Sequence, residues 1–407
     1  MSESGASTGG DPGFVAPGWV RDADGRLKRE LKPHMGRRLP GFDYSQRMIY
    51  EITIVLEDRR PILGRLVKKG EAEWAVEPSA TGAAVLDCWR EIPSRWPQVE
   101  LLGSALMPDH FHGVLFVKER LPEGKSLGNI IGSFKSRSSS ESLKILSARG
   151  DGRKPDCMGE APSGNGLSGD RSARGRARPR FWAEGFVDVI LFRRGQLEKM
   201  LAYLHDNPRR LGIKRERPAL FKVTRELAVE GIGRFSAIGN HFLLSRPSFH
   251  QIQCSRRFFA YARDSQGRLL KDAPPAVATP EFAEKLAAAL SAAEGGAVLV
   301  SPCISQGERE IARRAFAAGH SVITLANKGF SPLYKPGGRL FESCAAGNLL
   351  MLAPVKWPYR PAEKPMTRID ALVLNRIAQM IAGADACEID YKGAIPAKID
   401  DEVKKVV

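Results

Sequence analysis

Apolar and polar positions show no sustained period over residues 1–45, which are rich in Gly, Pro, Ser and charge. Such a segment buries too little apolar surface to offset chain entropy, so a flexible arm is expected there. A pattern begins at Ile49–Leu56 (IYEITIVL), a β-branched run that predicts a strand. Apolar positions at helical spacing follow over Ala83–Trp96, with Pro93 and Pro97 marking the end. Val99–Leu106 and Phe111–Val117 read as a hairpin around the turn Met107–His110, and Ser126–Leu146 reads as a helix in spite of its serines. Residues 148–179 are crowded with Gly, Arg, Ser and Pro and hold almost no large apolar side chain, which predicts a disordered basic insertion. Arg180–Phe192 predicts a strand and Gln196–Asn207 a helix, stopped by Pro208 because proline lacks the amide donor and clashes with the preceding turn.

This order of strand, helix, strand, strand, helix, strand, helix is that of an α+β, ferredoxin-like antiparallel sheet with helices on one face. The texture changes near residue 240. Residues 240–280 are irregular and basic, and Pro280–Ala293 is Ala-rich and helical. Ala297–Ser301, Ser321–Leu325 and Leu349–Leu352 are short buried-type strands, with a helix at Gly307–Ala318. Alternation of this kind predicts a parallel, Rossmann-like α/β sheet. The expected organisation is an arm at 1–45, an α+β domain at 46–239 that contains the 148–179 insertion, and an α/β domain at 240–407.

Composition adds a partner class. The 407 residues are 43% hydrophobic and 27% charged, ordinary globular values that leave each domain room for its own core. Lys and Arg number 62 against 46 Asp and Glu, a net charge of +16 that suggests a polyanion, either nucleic acid or an anionic membrane surface. Cys88, Cys157, Cys254, Cys303, Cys344 and Cys387 lie far apart with no C-x-x-C pair, so reduced, buried or incidental thiols are expected. No apolar run approaches the roughly 18–20 residues that cross a bilayer, and the N-terminus lacks the apolar core of a secretory signal. A soluble, cytoplasmic protein is expected.

The chemistry concentrates in Leu106–Val117 (LMPDHFHGVLFV). Side chains alternate across a strand, so His110 and His112 share one face and Phe111 takes the other. Two imidazoles about 7 Å apart at their backbones can converge on one ion. On the later helix, Tyr203 and Asn207 are four residues apart, about 40° around the axis, whereas His205 lies about 200° from Tyr203. On the residues alone, solvent-exposed hairpin histidines, a core tyrosine and an asparagine cap fit the same pattern.

Four motifs occur in order: MPDHFHG (107–113), SLGNIIGSFKS (126–136), RFWAEGFVDVI (180–190) and AYLHDNPRRLGI (202–213). Together they resemble the REP-associated tyrosine transposases within the single-tyrosine HUH (IS200-like) group, over about residues 47 to 215. The resemblance implies an HUH nuclease domain in which His110, His112 and Asn207 bind a divalent metal, Mg2+ or Mn2+, and Tyr203 is the nucleophile. It implies cleavage and rejoining of single-stranded or hairpin DNA through a 5′-phosphotyrosine intermediate with a free 3′-hydroxyl. A cation on the scissile phosphate would supply Lewis-acid stabilisation, and an unperturbed tyrosine, with a pKa of about 10, attacks poorly until its proton is removed. Tyr44, Tyr50, Tyr261, Tyr334, Tyr359 and Tyr391 precede the hairpin or fall in the second half, so only Tyr203 follows the H-x-H pair within the same expected domain. Relaxases of similar fold generally carry the tyrosine before the histidines.

The long insertion and the whole second half depart from the family pattern. A relaxase or replication-initiator-like nickase and a non-catalytic DNA-binding regulator are the alternatives, and a homodimer is open. Lys135, Arg137, Arg193, Arg194, Arg209 and Arg210 are the expected phosphate contacts, with Gly36–Arg38 and Arg171–Arg180 as candidate guide-sequence readers. In the second domain, Ala297–Ala315 runs from strand through loop to helix, and Ser301, Ser305 and Gly307 stand where a helix N-terminus can hold phosphate. With Ala326–Phe330 (ANKGF) it faintly looks like Rossmannoid DNA-processing or nucleotide-sensing domains, but it lacks the dinucleotide and P-loop fingerprints.

Overall fold

The protein is described as a computed structural model covering residues 19–21, 27–29, 39, 41–70, 73–148, 180–254, 258–260, 277–332, 334–359, 366–386, 389, 391 and 393–407. Most of the expected arm, the expected basic insertion after Ala148, and the candidate readers Gly36–Arg38 and Arg171–Pro179 lie outside these residues. The chain divides into two compact units, Met1–Gly212 and Ile213–Val407.

In the first unit, β1 (Trp19–Arg21) pairs with β2 (Leu27–Arg29) as a short antiparallel ribbon. The main elements are β3 (Met48–Val55), the hairpin β4 (Gly64–Lys68) and β5 (Trp74–Pro78), α1 (Ala80–Arg90), the single turn α2 (Ile92–Arg95), β6 (Val99–Leu106) and β7 (His110–Val117). They continue through α3 (Leu127–Ala148), β8 (Val187–Ile190) and α4 (Gln196–Glu216). The four-stranded sheet runs β6-β7-β3-β8 with every neighbour antiparallel, the split β-α-β order expected from the pattern. Odd positions of β7 face α1 and α3: Phe111 is fully buried against Trp89 and Phe134. Tyr50, Ile52 and Ile54 of β3 join that core. Even positions of β7 face the other way.

Two expectations in this unit are corrected. The strand expected over Arg180–Phe192 is confined to β8, with Trp182 making only an isolated bridge to Leu56. Pro208 does not stop its helix, since α4 continues to Glu216 with the proline inside it. The missing amide costs one intrahelical bond, to the Leu204 carbonyl, and the residues that follow still pack: a Cβ on Gly212 would lie 2.3 Å from the Trp74 ring.

The second unit contains β9 (Thr224–Val229), β10 (Gly233–Gly239) and β11 (Phe249–Gln251), then the short pair β12 (Phe259–Ala260) and β13 (Val277–Ala278). It ends with α5 (Pro280–Glu294), β14 (Val298–Ser301), α6 (Gln306–Ala317), β15 (Val322–Leu325), α7 (Gly338–Ala345), β16 (Leu349–Pro354), α8 (Arg368–Ala382) and α9 (Pro396–Val406). Its sheet runs β11-β14-β15-β16-β10-β9. The first four strands are parallel and in chain order, and the β9–β10 hairpin adds two antiparallel strands, so the sheet is mixed where a parallel one was expected. Residues 213–239, read from the pattern with the first domain, therefore belong to the second unit. Leu299 and Val322 pack with α5 and α6 on one face, while Val300, Ile323 and Leu350 pack with α8 and α9 on the other. The parallel strands show no reversal of order, so the crevice that such a reversal opens in doubly wound nucleotide-binding sheets is not formed.

Gly113, the residue after His112, faces the same core as Phe111. A Cβ there would lie 2.4 Å from the Trp89 ring, so Gly113→Ala should destabilise the first unit by about 1–3 kcal/mol through overpacking. Gly132→Ala, at an exposed position of α3 with open space around it, should be neutral or stabilising by up to about 1 kcal/mol. Urea midpoints of the two variants check this pair of outcomes.

Candidate active site

The even positions of β7 carry the expected histidine pair. Register sets Thr53 opposite His112 and Val55 opposite His110, so the polar side chains of β3 at positions 51 and 53 rise beside the imidazoles. His112 Nδ1 donates to Glu51 Oε1 at 2.8 Å, and Thr53 Oγ1 donates to the same carboxylate oxygen at 2.9 Å. His110 Nδ1 donates to Asp109 Oδ1 at 2.6 Å. The two rings stand 4.9 Å apart, nearly perpendicular. With both Nδ1 atoms engaged by carboxylates, each neutral ring presents the lone pair of Nε2, the arrangement by which carboxylates orient metal-binding histidines.

Electrostatics keeps His110 in that form. Burial pulls its imidazole below the ordinary value and His112 beside it does the same, outweighing the hydrogen bond and charge of Asp109. Burial raises the Asp109 carboxyl, but the hydrogen bond from His110 and the charge of Arg59, 3.3 Å away, hold it below the ordinary carboxylate value.

Helix α4 crosses the same face of the sheet. A Cβ on Gly103 of β6 would lie 2.7 Å from Leu201 Cδ2, so that glycine lets the helix approach closely. Two residues on, the Tyr203 ring lies edge-on to His112 with centroids 6.4 Å apart. Tyr203 is 44% exposed, which leaves its hydroxyl open to a large substrate. Asn207, one turn later, is buried, and its Nδ2 has no hydrogen-bond partner. The Arg210 guanidinium sits over the Tyr203 ring, 5.5 Å from its centroid. His205 is exposed.

The donor set can be tested against a cation. Among the described residues, no group of three or more His, Cys, Asp and Glu side chains could hold a metal. A cation on the two imidazoles would therefore need a ligand of another type, and the buried Asn207 amide, its Nδ2 without a partner, is a side chain of such a type. Glu51, Thr53 and Asp109 were missed from the sequence. Asp109 adjoins the histidines in MPDHFHG, and Glu51 and Thr53 are the polar alternates of an otherwise apolar strand.

The expected DNA contacts separate into groups. Arg193 and Arg194 are exposed in the turn before α4. Arg209 and Arg210 share Asp206, at 2.6 and 3.8 Å. Lys135 and Arg137 do not flank the histidines, because α3 packs on the Phe111 face of the sheet, opposite the imidazoles. Arg137 pairs with Glu91 at 2.6 Å. Lys135 Nζ donates to the carbonyls of Ala183 and Gly185 at 2.6 and 2.7 Å, and burial draws its pKa down to about 8.

The expected phosphate position in the second unit is filled from within. The Glu308 carboxylate accepts from the amides of Ile304 (2.7 Å) and Ser305 (3.3 Å), and Ser305 Oγ in return caps the Glu308 amide. Ser301 Oγ accepts from the Cys303 amide at 3.0 Å. Gly307 lies buried in the first turn of α6. These donors make a capping box for the chain's own anion, so Ser301, Ser305 and Gly307 do not form an open phosphate loop. Burial and the Glu308 charge push the neighbouring Cys303 thiol up to about 12, which fits an inert residue.

No family model matches the chain. An uncharacterized protein of Haemophilus influenzae is 27% identical over 84 residues, 21% of this chain and 44% of that protein, so the chain matches under half of that relative's length. A solved REP-associated tyrosine transposase bound to a REP hairpin superposes with a TM-score of 0.26 at 12% identity, over 43% of this chain and 74% of that one. A crystal structure of a transposase candidate from Deinococcus radiodurans gives 0.23 at 13% identity, over 41% and 97%. These are likenesses only, and the functional reading rests on the side chains described above. Among the described residues, no helix is long and apolar enough to cross a membrane.

Lys135 offers a direct check. Lys135→Ala should lower stability by about 1 kcal/mol, since the part-buried Ala183 carbonyl and the exposed Gly185 carbonyl lose a charged donor, while DNA affinity changes less than about twofold. Unfolding curves and fluorescence anisotropy on the same variant measure both. A tenfold loss of affinity at unchanged stability would return Lys135 to the DNA surface.

Proposed function

We propose that the first unit cleaves and rejoins single-stranded or hairpin DNA through Tyr203, in the manner of the single-tyrosine HUH transposases it resembles. One arrangement carries this reading: a carboxylate-anchored histidine pair on a strand, with an exposed tyrosine on the crossing helix, its ring centroid 6.4 Å from His112. His110 and His112 would hold a divalent cation, Mg2+ or Mn2+, through their Nε2 atoms, with Asn207 as a third ligand. When bound, that ion supplies Lewis-acid stabilisation of charge on the scissile phosphate.

The chain's own residues do the rest. Glu51 and Asp109 fix both ring orientations by holding the Nδ1 protons, which leaves the Nε2 atoms to face an ion. The Tyr203 hydroxyl loses its proton to solvent, attacks phosphorus and forms the Oη–P bond as the P–O3′ bond breaks. The departing oxygen takes up a proton and leaves as a free 3′-hydroxyl. Arg210 sets positive charge beside the ring, where negative charge appears as the hydroxyl loses its proton before attack. The phosphotyrosine ester keeps the free energy of the original linkage, so attack by a 3′-hydroxyl reseals DNA without another energy source. Arg193 and Arg194, exposed in the turn before α4, would meet phosphates ahead of the tyrosine helix.

Tyr203→Phe should abolish covalent protein–DNA adducts on a cleavable hairpin while leaving binding within about twofold, because the phenyl ring keeps its packing. Adducts at wild-type yield would reject the nucleophile. Separately, Glu51→Gln should weaken Mn2+ binding about 10- to 100-fold by calorimetry without DNA, since it removes the carboxylate that orients His112. Unchanged Mn2+ affinity would reject the metal role.

A further inference from the structure

The second unit carries a groove of about 610 Å3 whose polar lining is entirely cationic: Lys214, Lys222, Arg225 and Lys335. The rest of the lining is apolar (Pro218, Ala219, Phe221, Val223 and Pro332), with no carboxylate, hydroxyl or amide side chain within it. Lys222 and Arg225 are exposed and form no ion pair among the described residues. Lys335 is held differently, its Nζ donating to the Phe221 carbonyl at 2.5 Å, which fixes one wall to the segment that carries the other charges.

Elsewhere in the unit, several basic side chains are met by carboxylates. Arg234 pairs with Glu226, Arg314 with Glu310, Arg376 with Asp400 and Lys405 with Glu402, all within 3.0 Å. A concave surface on which Lys222 and Arg225 stand without a carboxylate partner among apolar side chains raises local anion concentration. A small anion held specifically needs several convergent polar groups, and this lining offers none beyond the charges. Sequence is read by groups that match base edges, chiefly amides, hydroxyls and bidentate arginines, and here a single arginine stands among lysines. What remains is the chemistry of a repeating phosphodiester with flat apolar bases.

We propose that this groove is a second nucleic-acid track, which holds the backbone of single-stranded DNA without reading its sequence. The choice of DNA rests on the strand-transfer reading of Tyr203, whereas the groove itself uses none of that site's residues.

The test uses the full chain and a labelled poly-dT oligonucleotide, followed by fluorescence anisotropy over a range of salt. For the double variant Lys222→Glu/Arg225→Glu, affinity should fall about tenfold and the slope of log K against log salt should shrink by about 1.4, or 0.7 for each of two lost phosphate contacts. Lys222→Ala/Arg225→Ala should shrink the slope equally with a smaller loss of affinity, which separates lost contacts from added repulsion. Unchanged affinity and slope in both variants would overturn the proposal. So would equal competition by dAMP or inorganic phosphate, which would mark a small-anion site, or by polyglutamate, which would mark an acidic-peptide site. Adducts through Tyr203 at saturating hairpin DNA should stay near wild-type yield in both variants. If the wild-type protein forms no adduct while the variants still lose slope, the groove stands and the strand-transfer reading falls.

Discussion

The register of β3 against β7 is the constraint on which the candidate site depends. Strand side chains alternate, so a slip of one residue would exchange the faces and drive His110 and His112 into the core now filled by Phe111. That core holds the register through the burial of Phe111, Tyr50, Ile52 and Ile54, each fully removed from water. Burying a side chain of this size contributes about 1.5–3 kcal/mol, so four of them oppose a slip more strongly than the polar network could. The polar network then exploits the register: Thr53 opposite His112 brings Glu51 within 2.8 Å of the imidazole. Apolar packing on one face thus sets the geometry of chemistry on the other.

Helix α4 works under a similar division. Leu201 meets the flat place left by Gly103, and Trp74 meets the place left by Gly212, so the helix is seated at both ends by glycines rather than by larger side chains. Between those seats lie Tyr203 and Asn207. A proline directly after Asn207 leaves the Leu204 carbonyl without its intrahelical donor. The local cost is tolerable because tertiary contacts on either side hold the helix, and for the same reason Pro208 fails as a stop signal.

Much of this was legible in the chain itself. The hairpin, the histidine pair and the tyrosine helix follow from local periods of two and 3.6, which any single segment displays. The partners of His112 did not, because Glu51 and Thr53 lie about sixty positions earlier and become its neighbours only through strand pairing. The β9–β10 hairpin was likewise hidden: TRELAV mixes charge with short apolar side chains at a half-exposed sheet edge, where alternation is weak. Its assignment depends on β16, which it pairs with more than a hundred residues later. Lys135 and Arg137 look like DNA contacts in a linear reading, and only the helix's position on the far face of the sheet gives them structural partners instead.

The same distinction between a charge and its circumstances governs the second unit. Ser301, Ser305 and Gly307 have the residue types and spacing of an anion loop, and an anion does sit there, but it is Glu308 of the same chain. Burial raises the Glu308 carboxyl, while the amide and hydroxyl donors around it act in the opposite direction, favouring the charged form. An outside phosphate would have to displace a tethered competitor at very high effective concentration, so motif chemistry alone overstates that loop. The groove at Lys222 and Arg225 has no recognisable motif and no such competitor. A net charge of +16 therefore says little until each cation is sorted by whether its own chain already answers it, and the cations left unanswered in a concave, otherwise apolar place are the ones that select a partner.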